Sequence, residues 1–177
     1  MSLGKLTRIV LLVVVTLIIQ STIGLDVRIA GAHPDLMLLL PIVFGIAGGP
    51  EDGALVGFLA GMAADLLLPT PLGLSALVDC LVGFAVGAST GTLTLEIWWI
   101  PPFIGVAGSV VGVLAYAVLG AVLGDPQFLR VDLVAIVAVV AVTNGVLANA
   151  AARAARWALG PTSSDHDRLS FAGRKKW

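Results

Sequence analysis

Six stretches of nearly unbroken apolar residues, separated by short turns rich in Gly, Pro and acids, leave this chain few ways to fold. The first reads Ile9-Val10-Leu11-Leu12-Val13-Val14-Val15-Thr16-Leu17-Ile18-Ile19. Runs like this are continuously apolar rather than alternating, which predicts helices and not the strands of a barrel. Composition closes the alternatives. Hydrophobic residues make up 58% of the 177 positions and charged residues only 12%, and mean hydropathy is +1.04. A soluble globule this small cannot hide that much apolar surface, and a disordered chain does not carry it. The chain therefore reads as an all-α, polytopic membrane protein, a compact bundle of about six transmembrane helices. The expected spans are about 8–26, 33–48, 52–68, 72–90, 101–123 and 132–152, within one domain over 1–160. With about 20 residues per span, about a third of the chain is left for loops and tails. No soluble catalytic or nucleic-acid-binding domain fits in that remainder.

The start also fits a secretory signal, with Lys5 and Arg8 before the apolar core. Ala30-Gly31-Ala32 resembles a cleavage site but lies far beyond that core, so the first run reads as an uncleaved span. Of the 10 Lys and Arg residues, 8 sit near the two ends: Lys5, Arg8, Arg153, Arg156, Arg168, Arg174, Lys175 and Lys176. The basic side is cytoplasmic by the positive-inside rule, which places both termini there. The second and third runs are short and interrupted by Pro41 and Gly48-Gly49-Pro50. A re-entrant hairpin there gives four spans with the same parity. Residues 161–177 read as a flexible basic cytoplasmic tail, either a topology anchor or a contact with anionic lipid. The single cysteine, Cys80, lies in an apolar run and reads as a small hydrophobe.

Small residues and acids stand out inside the runs. Gly53, Gly57, Gly61 and Asp65 recur every fourth residue and share one helix face. Gly83-Gly87-Gly91, Gly108-Gly112 and Gly120-Gly124 repeat the spacing. Such stripes let helix backbones approach closely in lipid, within the molecule or against a partner helix. Asp65 and Asp79 are the costly residues, since a charged Asp at a bilayer centre costs at least about 2.5–3.5 kcal/mol. Three readings stand. They are structural acids, neutral or hydrogen-bonded to backbone and to Asn144 or Asn149, or a substrate- or proton-linked site, or an aspartyl dyad sharing a proton. Gln20 and Thr16 on the first helix, and Asn144 and Asn149 on the sixth, read as interhelical hydrogen-bonding groups. No catalytic, metal-binding or cofactor motif appears. Ser75 has no intramembrane His to activate it.

The order of features then resembles a known family. Pro34-Asp35 leads a leucine run, a Gly-Pro turn follows, then Gly57-Phe58-x-x-Gly61-x-x-x-Asp65, then Pro71-Leu72-Gly73 with a small residue and Leu. This pattern, over residues 34–77, is similar to that of MreD, the multi-pass rod shape-determining membrane protein of bacteria. The resemblance implies a non-enzymatic subunit of the cell-elongation machinery in the bacterial cytoplasmic membrane. It implies membrane lipid around the chain. It also implies an MreC-like protein, the MreB filament and peptidoglycan synthases as partners, and no nucleic acid. It further implies a fold similar to the substrate-binding subunits of vitamin transporters (S-component-like). On that likeness Asp65 and the turn at Pro71 and Gly73 line an outward-facing cavity. Pro34, Asp35, Gly57, Phe58, Gly61, Asp65, Pro71, Gly73 and Asp79 are the candidate functional or interface residues.

Two rival readings follow from the same residues. Short, Gly- and Pro-interrupted segments beside a membrane acid mark binding sites in transporters, which suggests a vitamin-type transporter subunit. Against it, residues 9–19 offer no small-residue face on the first helix. An intramembrane enzyme built on Asp65 and Asp79 is the other. Because the tail carries no apolar run, removing residues 165–177 is expected to leave folding and insertion unchanged. Membrane fractionation and a detergent melting curve of the truncated chain check this.

Overall fold

Local sequence determines where the helices begin and end. The computed structural model describes residues 3–26, 33–67, 72–90, 98–123 and 133–160. Gly91, Gly124 and the tail over 161–177 lie outside the described residues. Among the described residues there are six helices and no strand: α1 Leu3–Asp26, α2 Leu36–Gly48, α3 Pro50–Asp65, α4 Leu74–Thr90, α5 Ile100–Val122 and α6 Leu133–Leu159. Pro50 opens α3, with Glu51 and Asp52 in its first turn. That suits a helix start, because Pro has no N–H to leave unpaired there and acids oppose the positive helix end. Pro101 and Pro102 open α5 in the same way. A single residue, Gly49, separates α2 from α3, with φ at +84° and ψ at −172°. That backbone conformation is open essentially only to glycine.

The six helices fall into two classes. α1, α5 and α6 are long and apolar enough to cross a membrane. α2, α3 and α4 have 13, 16 and 17 residues. At 1.5 Å per residue they span about 20–26 Å, short of the ~30 Å hydrocarbon core. The short helices form the centre. α2 touches every other helix. Its residues from Met37 to Ile46 are all buried, as expected of a helix that is apolar on every side. Met37, Leu39, Leu40, Val43 and Phe44 pack with Ile9 and Val13 of α1, Val56 and Ala60 of α3, and an alanine row on α6. Leu38, Ile42 and Ile46 pack on the other side with Leu74, Val78 and Val82 of α4 and Val140 of α6.

Glycine sets how closely these helices approach. A Cβ on Gly53 would overlap the Gly83 carbonyl oxygen, and one on Gly57 the Asp79 carbonyl oxygen. One on Gly61 would fall 2.5 Å from the Ala76 backbone. The stripe expected on the third helix thus forms an internal seam, α3 against α4, backbone on backbone. Gly45 of α2 joins it at Gly83 and Gly87. Gly108 and Gly112 of α5 receive Ile42 and Leu38 of α2. α1 is peripheral and exposes Val10, Leu11, Val14, Val15, Ile18 and Ile19. Its N-terminus meets the start of α3 through Lys5, whose Nζ lies 2.7 Å from Asp52 Oδ1. It meets the end of α6 through Arg8. These contacts define a basic end of the bundle. The starts of α2 and α4 lie at the opposite end.

Because the seam is backbone against backbone, Gly83→Ala must push α3 and α4 apart. It is expected to destabilise the bundle by about 1–3 kcal/mol or more, the usual range for overpacking. Gly4 has nothing within 4 Å of an added Cβ. Gly4→Ala is therefore expected to be neutral or stabilising by up to about 1 kcal/mol through helix propensity. Parallel thermal melts of the two variants in detergent check the contrast.

Candidate functional site

The polar side chains of the candidate pattern gather at the end opposite the basic one, where α2 and α4 begin and α3 finishes. A helix start leaves four N–H groups without partners, and in a bilayer no water is present to take them. At α2 the side chain of Asp35 accepts from the Met37 and Leu38 N–H groups, both at 3.1 Å. Gln20, reaching from α1, accepts from the Leu36 N–H at 2.9 Å and donates to the Pro34 carbonyl at 2.9 Å. Gln20 therefore does form an interhelical bond, and its partner is the part-buried backbone at the start of α2. Thr16 shows no such bond among the described residues.

Asp65, the last residue of α3, does for α4 what Asp35 does for α2. Its Oδ2 accepts from the Gly73 N–H at 2.8 Å and the Ala76 N–H at 3.3 Å, and its Oδ1 from the Ser75 N–H at 3.2 Å. Asp65 is 1% exposed. Gly73 holds φ at +94°, in the left-handed region that favours glycine, which turns its N–H onto Asp65. Pro71 lies outside the described residues. Both oxygens of Asp65 thus take backbone donors. This is the structural reading of the acid, with one correction: Asn144, considered as its partner, instead donates to Ser109 Oγ of α5 at 2.9 Å. That bond leaves Asn144 Oδ1 buried without a partner among the described residues. Ser109 carried no signal in the sequence beyond being a hydroxyl within an apolar run.

Asp79 differs from the other two acids. It sits on the second turn of α4, 6% exposed, and no hydrogen bond reaches its carboxyl from the described residues. Of the other candidates, Pro34 is buried at the α2 cap, and Gly57 and Gly61 are buried in the α3–α4 seam. Phe58 points the other way and is 48% exposed on the outer face of α3. So the pattern does not converge on one pocket. It supplies two helix caps, one seam, one outward aromatic and one acid that caps nothing. Among the described residues no three His, Cys, Asp or Glu side chains come together to hold a metal. A groove between α5 and α6, lined by Leu114, Leu133, Val134, Val137 and Ala138, is wholly apolar and has nothing to orient a polar ligand.

If Asp65 is a cap, Asp65→Ala leaves three backbone donors without an acceptor. The expected loss is at least the ~1–2 kcal/mol of a lost helix cap, with Asp65→Asn losing less. Gln20→Ala is expected to cost about 1 kcal/mol by the same logic. Detergent melts of the three variants give the ranking.

Comparison with known proteins agrees with this description of a helical membrane bundle. The family model for the rod shape-determining protein MreD matches residues 2–143, most of the chain. No curated protein and no solved structure matches it. The match covers α1 to α5 and the first part of α6, and contains every capping and seam residue described above. The chain belongs to the MreD family of rod shape-determining membrane proteins.

Proposed function

We propose that this chain is a non-enzymatic subunit of the cell-elongation machinery. It sits in the bacterial cytoplasmic membrane with both termini inside, binds an MreC-type protein, and through it supports peptidoglycan synthesis alongside MreB and the wall synthases. The observation that carries the proposal is the family match over residues 2–143. The structure supplies a physical reason to favour a scaffold. Asp35, Gln20 and Asp65 are consumed in closing helix ends, so they are not free to act on a substrate. The glycine stripe is consumed in the seam. What remains for partners is the outer surface, where large apolar side chains such as Phe58, Leu81 and Phe84 are half exposed. Co-expression with an MreC-type protein and affinity capture in detergent is the test. Retention of the pair through gel filtration supports the proposal. A well-folded chain that elutes alone overturns it.

Asp79 keeps a second reading open, that of a small-molecule-binding subunit. An acid buried without a hydrogen bond is a local cost of about 1–3 kcal/mol. Asp79→Val, which removes the unpaired polar group, is therefore expected to raise the melting temperature. If the acid serves a ligand or proton, the same variant loses rod-shape complementation in cells deleted for their own copy. If complementation is unchanged, both the ligand reading and the aspartyl-enzyme reading fall. A thermal-shift screen with vitamins separates those two, since a ligand that binds only the folded state raises its stability.

A further inference from the structure

At the basic end, two lipid-facing stripes terminate side by side. On α6, Val142, Val146 and Ala150 are exposed and share a face, and Arg153 and Trp157 continue it. Arg156 flanks that face and is also exposed. On α1, Leu11, Val15 and Ile18 form the exposed stripe, and Arg8 lies on the same face one turn nearer the N-terminus. The two stripes meet at Trp157. The Arg8 guanidinium lies 5.4 Å from the centroid of its ring and donates to its backbone carbonyl at 3.4 Å. Trp157 is 55% exposed, as suits an indole at the boundary between hydrocarbon and headgroups.

No acid among the described residues pairs with the charges of this patch. The ion pair found among the described residues joins Lys5 to Asp52. It takes up the acid nearest the N-terminus of α1 and leaves Arg8, Arg153 and Arg156 without an acidic partner among the described residues. Arg8, Arg153 and Arg156 are exposed at or beside the ends of these apolar stripes, where a long side chain can lay its apolar stem along the hydrocarbon and carry its charge to the headgroups. Arginine presents a planar fork of donors that fits a phosphate's oxygens two at a time.

We propose that Arg8, Arg153, Arg156 and Trp157 form a binding site for the phosphodiester headgroup of an anionic phospholipid in the leaflet on this side. The acyl chains of that lipid lie along the apolar stripes of α1 and α6. The headgroup bridges two helices, so the lipid fastens peripheral α1 to α6 where protein contacts are few.

Native mass spectrometry of the purified full chain tests this, with delipidated protein titrated against phosphatidylglycerol, phosphatidylcholine and free glycerol phosphate. Retention of phosphatidylglycerol several-fold above phosphatidylcholine, with no competition from glycerol phosphate, is expected. Equal retention of the two lipids overturns the site. Displacement by free glycerol phosphate overturns the lipid assignment. The variant R8Q/R153Q/R156Q is expected to lower phosphatidylglycerol retention to the phosphatidylcholine level. R8K/R153K/R156K keeps every charge, and so the topology, and serves also if the neutral variant does not fold. It is expected to lose at least about threefold in retention, because ammonium groups lack the planar fork. Retention as strong as that of the unmodified chain in either variant overturns the proposal.

Discussion

A backbone N–H inside a bilayer must find its acceptor in the protein, and this requirement organises the end of the bundle where α2 and α4 begin. Both helices start there surrounded by other helices. Their first turns are closed by side chains from elsewhere in the chain: Gln20 from α1 and Asp35 for α2, and Asp65 from the end of α3 for α4. Each cap also fixes a junction. Gln20 ties α1 to the start of α2, and Asp65 ties the end of α3 to the turn at Gly73 and the start of α4. Removing a cap therefore loosens a connection as well as a helix end.

Close helix approach is the second requirement, and it follows from the same solvent. Lipid tails are as apolar as leucine, so helices in a membrane gain little by hiding apolar surface from the medium and associate through packing. Gly53, Gly57 and Gly61 bring α3 onto the α4 backbone, and Gly45 brings α2 to the same place. Three short helices locked in this way make a core around which the long helices α1, α5 and α6 stand. Their lengths differ in a way that shapes the molecule. Gly112 of α5 is level with Leu38 of α2, and the two helices run in opposite directions, since Gly108 meets Ile42. Beyond that level α5 continues to Val122, while α2 has only Met37 and Leu36. At 1.5 Å per residue α5 overtops the start of α2 by about 12 Å. Asp35 therefore lies recessed among longer helices.

Much of this was legible in the sequence, for specific reasons. Unbroken apolar runs marked the helices, whereas Pro50, Glu51 and Asp52 read as part of a turn and instead form the first turn of α3. Four-residue glycine spacing marked a face, but not what that face meets. The seam with α4 is a property of two helices, and one stripe does not name its partner. The expected third span, 52–68, does not show that the helix stops at Asp65. The residue that ends α3 bonds to backbone 8 to 11 residues further on, and the bend that permits this depends on the left-handed backbone of Gly73. Asn144 was legible as a hydrogen-bonding group, yet its partner Ser109 is 35 residues away on a helix with little polar cue.

The family pattern over residues 34–77 takes on a physical meaning from these contacts. Pro34, Asp35, Asp65 and Gly73 close helix ends, and Gly57 and Gly61 close a seam. Most of the pattern thus describes how the bundle is built, and it says little about what the bundle touches. Among the described residues, the carboxylates of Asp35 and Asp65 and the amide of Gln20 are occupied by backbone groups. Asp79, like the Oδ1 of Asn144, has no such partner among the described residues, and its cost to stability is the reason to look there for anything beyond scaffolding. The outer faces, where Phe58, Leu81 and Phe84 are half exposed, are apolar.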